Sequence, residues 1–166
     1  MRPLVRRTVA AATVIGALLL TRRLTMTWGT RDGEPSDVLP GDEIVPRAEA
    51  VATRAVSIDA PPHEVWRWLV QLGQGRGGFY SYEWLENLVG CHVRNATEVL
   101  DRFQHLAVGD PVLLHPKAPP LTVAAIEPGR HLVLIGSSPD GADASLWAFH
   151  LLDAGGGGTR LIERGR

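Results

Sequence analysis

From Asp101 onward the chain is cut into strand-length segments by turn residues at hairpin spacing, and this punctuation leaves few folds open. Val112 to His115, Leu121 to Ile126, His131 to Ile135, Ser145 to Leu152 and Thr159 to Arg164 are bounded by Gly109-Asp110, Pro116 to Pro120, Pro128-Gly129, Ser137 to Gly141 and Gly155 to Gly158. Connections this short join antiparallel neighbours, because a parallel pair needs a crossover of about a dozen residues. An antiparallel meander follows. Alternation along Ser145 to Leu152 places Trp147, Phe149 and Leu151 on one face and His150 on the other.

One more strand and two helices precede the meander. Thr53 to Ile58 alternates, with Val56 and Ile58 on one face and Thr53, Ala55 and Ser57 on the other, which predicts a half-buried strand. Asp59-Ala60-Pro61-Pro62 stops it and opens a helix from about Pro62 to Leu72, since proline is tolerated in a first helical turn where its missing N–H goes unused. Val65, Leu69 and Leu72 make its apolar stripe, Trp66 and Val70 widen it, and Gly73 ends it. A second helix is predicted over Tyr82 to Val89, with Ser81 as N-cap, Tyr80 and Leu85 as a hydrophobic staple, Trp84, Leu85 and Leu88 as the buried stripe, and Gly90 as the stop.

Between these helices Gly73, Gly75 and Gly78 form a G-x-G-x-x-G. A dinucleotide site needs a strand before those glycines and a long helix after them, so that the turn presents phosphates to a helix N-terminus. Here a helix precedes them, and no G-K-[ST] follows. The glycines are read as a sharp helix-to-helix turn with positive φ.

Composition narrows the function. At 166 residues, 45% apolar and 21% charged, the chain suits one globular domain. A net charge of -1 with scattered basic residues offers no footprint for nucleic acid. Cys91 is the single cysteine, which excludes an internal disulfide and a cysteine-rich metal site; a small buried residue is its ordinary reading. The histidines His63, His92, His105, His115, His131 and His150 make no H-x-x-H or H-E-x-x-H, so no metal or other cofactor is expected. No Ser-His-Asp or Cys-His constellation can be assembled either.

The N-terminal part reads differently. Thr8 to Thr21 is an apolar run between Arg6-Arg7 and Arg22-Arg23. As a helix it spans only ~21 Å, short of the ~30 Å hydrocarbon core. Residues 1–27 are read as a membrane anchor whose arginines reach the headgroups, or as a signal segment, although no clean cleavage site precedes the second arginine pair. A membrane-associated protein is expected on this reading and a cytoplasmic one on the alternative. Residues 28–52, rich in Asp, Gly, Glu and Pro, are read as an extended tether, with Trp28 either at the membrane interface or packed on the domain. Residues 53–166 form the domain.

Strand, two helices and a run of antiparallel strands resembles the START-like helix-grip (SRPBCC) superfamily, which includes polyketide cyclase/dehydrase and lipid-transfer proteins. The likeness is most specific over Ile58 to Gly90, in the I-D-A-P-P-x-x-V-W start of the helix and the G-Q-G-R-G-G-F-Y-S-Y-x-W-L-E-N block. That block, with W-G-T at Trp28 to Thr30 and L-P-G-D-E-I-V-P at Leu39 to Pro46, is similar to a bacterial subgroup. The resemblance implies an α+β fold, a curved antiparallel sheet gripping a long C-terminal helix around an apolar cavity. Here the sequence stops after the strand ending near Arg164, so that helix is expected to be lacking. Either the chain is truncated or a protein partner, or a second copy, covers the open sheet face.

Apolar small-molecule binding is the function this implies, with a lipid, polyketide or aromatic compound as ligand. Phe79, Trp84, Trp147 and Phe149 are the candidate cavity walls, with core packing as the alternative for each aromatic. An enzyme of the cyclase/dehydratase type would instead depend on a polar cavity group such as Tyr82, Asn87 or His115. A structural fragment without ligand is the third reading.

Overall fold

The structure, a computed structural model, describes residues 21–22, 24–137 and 144–166. Of the expected anchor run only Thr21 lies among the described residues, as does only Ser137 of the turn at Ser137 to Gly141. Strand β1 (Ala52–Ile58) is followed by helices α1 (Pro62–Leu69) and α2 (Glu83–Leu88), a 3-10 turn at Asp101–Phe103, and strands β2 (Pro111–Val112), β3 (Leu121–Glu127), β4 (His131–Ser137), β5 (Ala144–Gly155) and β6 (Gly158–Gly165). All six strands form one antiparallel sheet in the order β1-β6-β5-β4-β3-β2. The meander therefore runs outward from β6 to β2, and β1 returns to pair with the last strand. This is the expected α+β arrangement, and among the described residues no helix is longer than the eight residues of α1.

Alternation assigns two faces. On the front lie Arg54, Val56 and Ile58 of β1, Leu161 and Glu163 of β6, Trp147, Phe149 and Leu151 of β5, and Leu132 and Leu134 of β4. Helix α1 packs Trp66 and Leu69 onto this face, with Val70 just beyond its end, against Val112, Val123, Leu132, Leu134, Phe149 and Leu151. Each fully buried side chain of this cluster contributes about 1.5–3 kcal/mol. The helix stops at Leu69, earlier than the expected Leu72, and the Leu72 N–H turns to the Leu69 carbonyl three residues back at 3.1 Å instead of continuing the four-residue ladder. The Gln71 side chain is fully buried, donating to the Tyr80 hydroxyl and the Glu98 carbonyl and accepting from the Leu100 N–H.

The glycine turn is a closed loop. Gly73 and Gly78 exchange both backbone hydrogen bonds, at 2.9 and 3.1 Å, and both have positive φ. A Cβ on Gly78 would stand 2.4 Å from Asn95 Oδ1. That oxygen accepts from the Phe79 and Tyr80 N–H groups, so Gly78 serves the closure of the turn.

The back face corrects the reading of residues 28–52. They were expected to be extended; instead residues 28–46 are folded against the sheet as a strap. Leu39 packs on Ala55 and Ile162, and Val45 on the cluster of Val133, Leu146 and Ala148. Gly41, at φ 97°, passes so close that a Cβ would lie 2.8 Å from Val133. The strap also supplies carboxylates to two buried arginines. Arg160 grips Glu34 with Nε and one terminal nitrogen at 2.8 and 2.7 Å, and Arg164 meets Asp42 at 2.6 Å. Arg160 holds the Glu34 carboxyl below its ordinary range by this hydrogen bond, against the opposing effect of burial. The strap also decides which face of β1 is covered: Thr53 and Ala55 are buried beneath it, while Val56 is 41% exposed on the front.

His150 lies on the back face, as alternation required, and is 2% exposed. Burial, then the charges of His131 and Arg164, lower its pKa from 6.5 to about 4. Above pH 6.5 folded and unfolded chains both carry the neutral ring, and the group adds no pH dependence. Between pH 6.5 and 4 the unfolded chain takes the proton first, so stability falls as pH falls and levels off below 4, a loss of about 3 kcal/mol. His150→Leu should remove this part of the slope in urea unfolding between pH 7 and 4. Equal slopes in the two proteins would contradict the burial argument.

Candidate functional site

Two adjoining clefts open on the front of the sheet beside α1. The first, about 370 Å³, is walled by Ile58, Ala60, Glu64, Val65, Trp68 and Tyr80. The second, about 190 Å³, is walled by Trp28, Arg54, Val56, Phe149, Leu161 and Glu163. Val56 and Ile58, two residues apart on one strand face, bring them side by side. Trp68 and Tyr80 meet in a T-shaped pair with ring centres 5.7 Å apart. Burial pushes the Tyr80 hydroxyl up, and the Gln71 amide that donates to it pulls the other way.

The second cleft contains one polar array. Glu163 accepts from the Trp147 indole N–H at 2.8 Å and is paired with Arg54 at 3.4 Å. The Trp147 ring also meets Phe149 at a tilt of 59°, centre to centre 4.7 Å. An apolar wall with one carboxylate–guanidinium pair suits a largely apolar molecule that carries a single polar group. A further groove of about 320 Å³ differs in kind, being lined by Arg76, Arg94, Arg102 and Glu98.

Of the expected site residues, the structure brings Trp147 and Phe149 to this face and takes the others elsewhere. Helix α2 has no buried residue; Trp84 is 70% exposed, and Leu85 and Leu88 are exposed beside it, so the expected buried stripe faces outward. The helix is also shorter than Tyr82 to Val89. Tyr82 takes the N-cap position, its side chain exposed, and the Ser81 hydroxyl donates to Glu86 instead of capping. Tyr80 pairs with Trp68 and not with Leu85. The Asn87 amide clasps the backbone of Val93 through both its oxygen and its nitrogen. Phe79 is half-buried, its N–H held by Asn95.

His115 is not on a strand. Strand β2 ends at Val112, because the Leu113 carbonyl turns to the Gln74 N–H, and the His115 ring is held between the Val89 carbonyl and the Lys117 N–H. The three polar groups named for catalysis, Tyr82, Asn87 and His115, therefore do not line the clefts. Sequence reading missed Arg54, Glu163, Trp28, Trp68 and Leu161. Arg54, Leu161 and Glu163 could have been found by extending the alternation of Trp147 and Phe149 across paired strands.

No family model matches the sequence, and no curated protein matches it significantly. Solved structures do match. CalU16 of Micromonospora echinospora is 18% identical, with a TM-score of 0.43 over 69% of this chain and 57% of its own. Protein MLL2253 of Mesorhizobium loti is 20% identical, with a TM-score of 0.41 over 70% and 76%. DynU16, a protein of the dynemicin biosynthetic locus, is 15% identical, with a TM-score of 0.41 over 71% and 37%. The chain spans little more than half the length of CalU16. The element order is one strand, two helices and then an antiparallel meander.

Proposed function

We propose that the front of the sheet binds an apolar small molecule, lipid-like or aromatic, with its one polar group at Arg54 and Glu163. The observation that carries this reading is the adjoining pair of apolar clefts, of which the larger alone is about 370 Å³, within the range of small-molecule sites. Val56, Leu161, Val65 and Trp68 supply contact area, and the Arg54–Glu163 pair supplies orientation.

The test uses N-phenyl-1-naphthylamine, a neutral apolar fluorophore, titrated into the full chain. Saturable binding is expected, weakened about tenfold or more by Val56→Asp, which costs the site about 1.4 kcal/mol. Val56 is exposed enough for the variant to keep its circular dichroism spectrum. Trp84→Ala should leave the affinity unchanged. Binding that survives Val56→Asp and disappears in Trp84→Ala would move the site to α2 and end this reading.

A further inference from the structure

Arg76 stands in the glycine turn, and Arg94 and Arg102 come from the chain between α2 and the 3-10 turn. The three line one groove of about 320 Å³, together with Thr97 and Glu98. Both walls are pinned. The Ala96 N–H donates to the Gly77 carbonyl at 2.9 Å, and the buried Gln71 side chain holds the Glu98 carbonyl and the Leu100 N–H. Arg76 gives one terminal nitrogen to the Val70 and Phe103 carbonyls. Its guanidinium carbon lies 4.6 Å from the centre of the Phe103 ring and that of Arg102 lies 4.8 Å from it, so one ring sets the places of two cations.

The charge of this groove is unmatched. On the back face Arg160 and Arg164 each hold a carboxylate, at 2.7 and 2.6 Å. Among the described residues Arg76, Arg94 and Arg102 have no carboxylate at ion-pair distance. The Arg76 Nε is buried without a hydrogen-bond partner, and burial works against its charge while Asp110 supports that charge through space. A guanidinium does not relieve this by losing its proton, so an anion from outside the chain is what would match it. Three guanidiniums against the Glu98 carboxylate leave an excess of two positive charges. That excess suits a phosphate monoester, which carries about −1.5 to −2 at pH 7 and offers oxygens that guanidiniums take in pairs.

We propose that this groove is a binding site for a phosphate monoester group, held by Arg76, Arg94 and Arg102 with the Thr97 hydroxyl beside them. It shares no wall residue with the two apolar clefts of the front, so either site can fail alone.

Monomethyl phosphate, which has too little apolar surface to use the front clefts, tests it. The compound is titrated with the full chain in about 0.15 M sodium chloride, where loose surface attraction is screened, and followed by its phosphorus resonance. Saturable binding with a dissociation constant of about 1 mM or below is expected, and acetate, with a single charge, should bind about tenfold more weakly. Arg94→Gln and Arg102→Gln, both at exposed positions where folding is not at stake, should each weaken binding about tenfold. Arg130→Gln, an exposed arginine outside the groove, should leave it unchanged. Sedimentation with phosphatidylcholine vesicles, with and without phosphatidic acid, then separates two sources of the same group. Extra sedimentation on phosphatidic acid that Arg102→Gln removes identifies a lipid headgroup, and any other pattern a soluble ester. The proposal is overturned if monomethyl phosphate does not bind, if acetate binds as tightly, or if the affinity is the same in Arg94→Gln and Arg102→Gln as in the parent.

Discussion

Arg164→Ala should lower the free energy of unfolding by about 3 kcal/mol, because it takes a buried guanidinium from the Asp42 carboxylate and from two strap carbonyls. Arg164 is 2% exposed; one terminal nitrogen donates to Asp42 at 2.6 Å and to the Asp37 carbonyl, and the other to the Glu34 carbonyl. Without it Asp42 keeps the Leu39 N–H at 3.1 Å and the approach of Arg166 at 3.0 Å, the latter poorly aligned for a hydrogen bond. The strap should loosen first, so trypsin should cut at Arg31 and Arg47 sooner than in the parent. Arg67→Ala is the control: its contact to Asp101 is 4.0 Å across an exposed surface, and no measurable change is expected. A loss for Arg164→Ala within 1 kcal/mol by urea titration, about what an exposed pair contributes, would show that the strap is not held as described.

Phe149→Ala and Trp84→Ala should differ as sharply as two aromatic truncations can. Phe149 is 6% exposed within the α1 cluster, and its truncation should cost about 3–5 kcal/mol through lost burial and the cavity left behind. Trp84 touches no core cluster, and its truncation should change stability by less than about 0.5 kcal/mol. Thermal and urea unfolding of both variants decides this. Comparable losses would require something to cover α2.

The strands were legible because period-two alternation and turn clusters both mark them, and the two signals agreed from β3 to β6. Trp147 and Phe149 reached the right face by the same rule. Helix α2 shows where periodicity stops: an apolar stripe at Trp84, Leu85 and Leu88 says that a helix has two unlike sides, and is silent on whether anything packs against one. The strap was misread because prolines, glycines and acids at 28–46 have the composition of a linker. A signal was nonetheless present, since Arg160, Ile162 and Arg164 share one face of β6. Two arginines flanking an isoleucine on a covered face demand carboxylates, and the acid-rich run upstream holds Glu34 and Asp42. The burial of Gln71 and the clasp made by Asn87 left no mark in local pattern, because each depends on chain brought back by a loop.

The passage of Trp28 and Gly29 beside β1 also bears on solubility. A sheet ends in rows of unsatisfied backbone groups that can template a strand from another molecule, and proteins guard against this with short terminal strands or by covering them. One margin of this sheet is β2, only two residues long. At the other, the Ala55 N–H is already taken by Trp28, and Gly29 sits so close that a Cβ would stand 2.2 Å from the Ala55 carbonyl oxygen. Both margins are thus short or partly occupied, which limits the ladder open to a foreign strand.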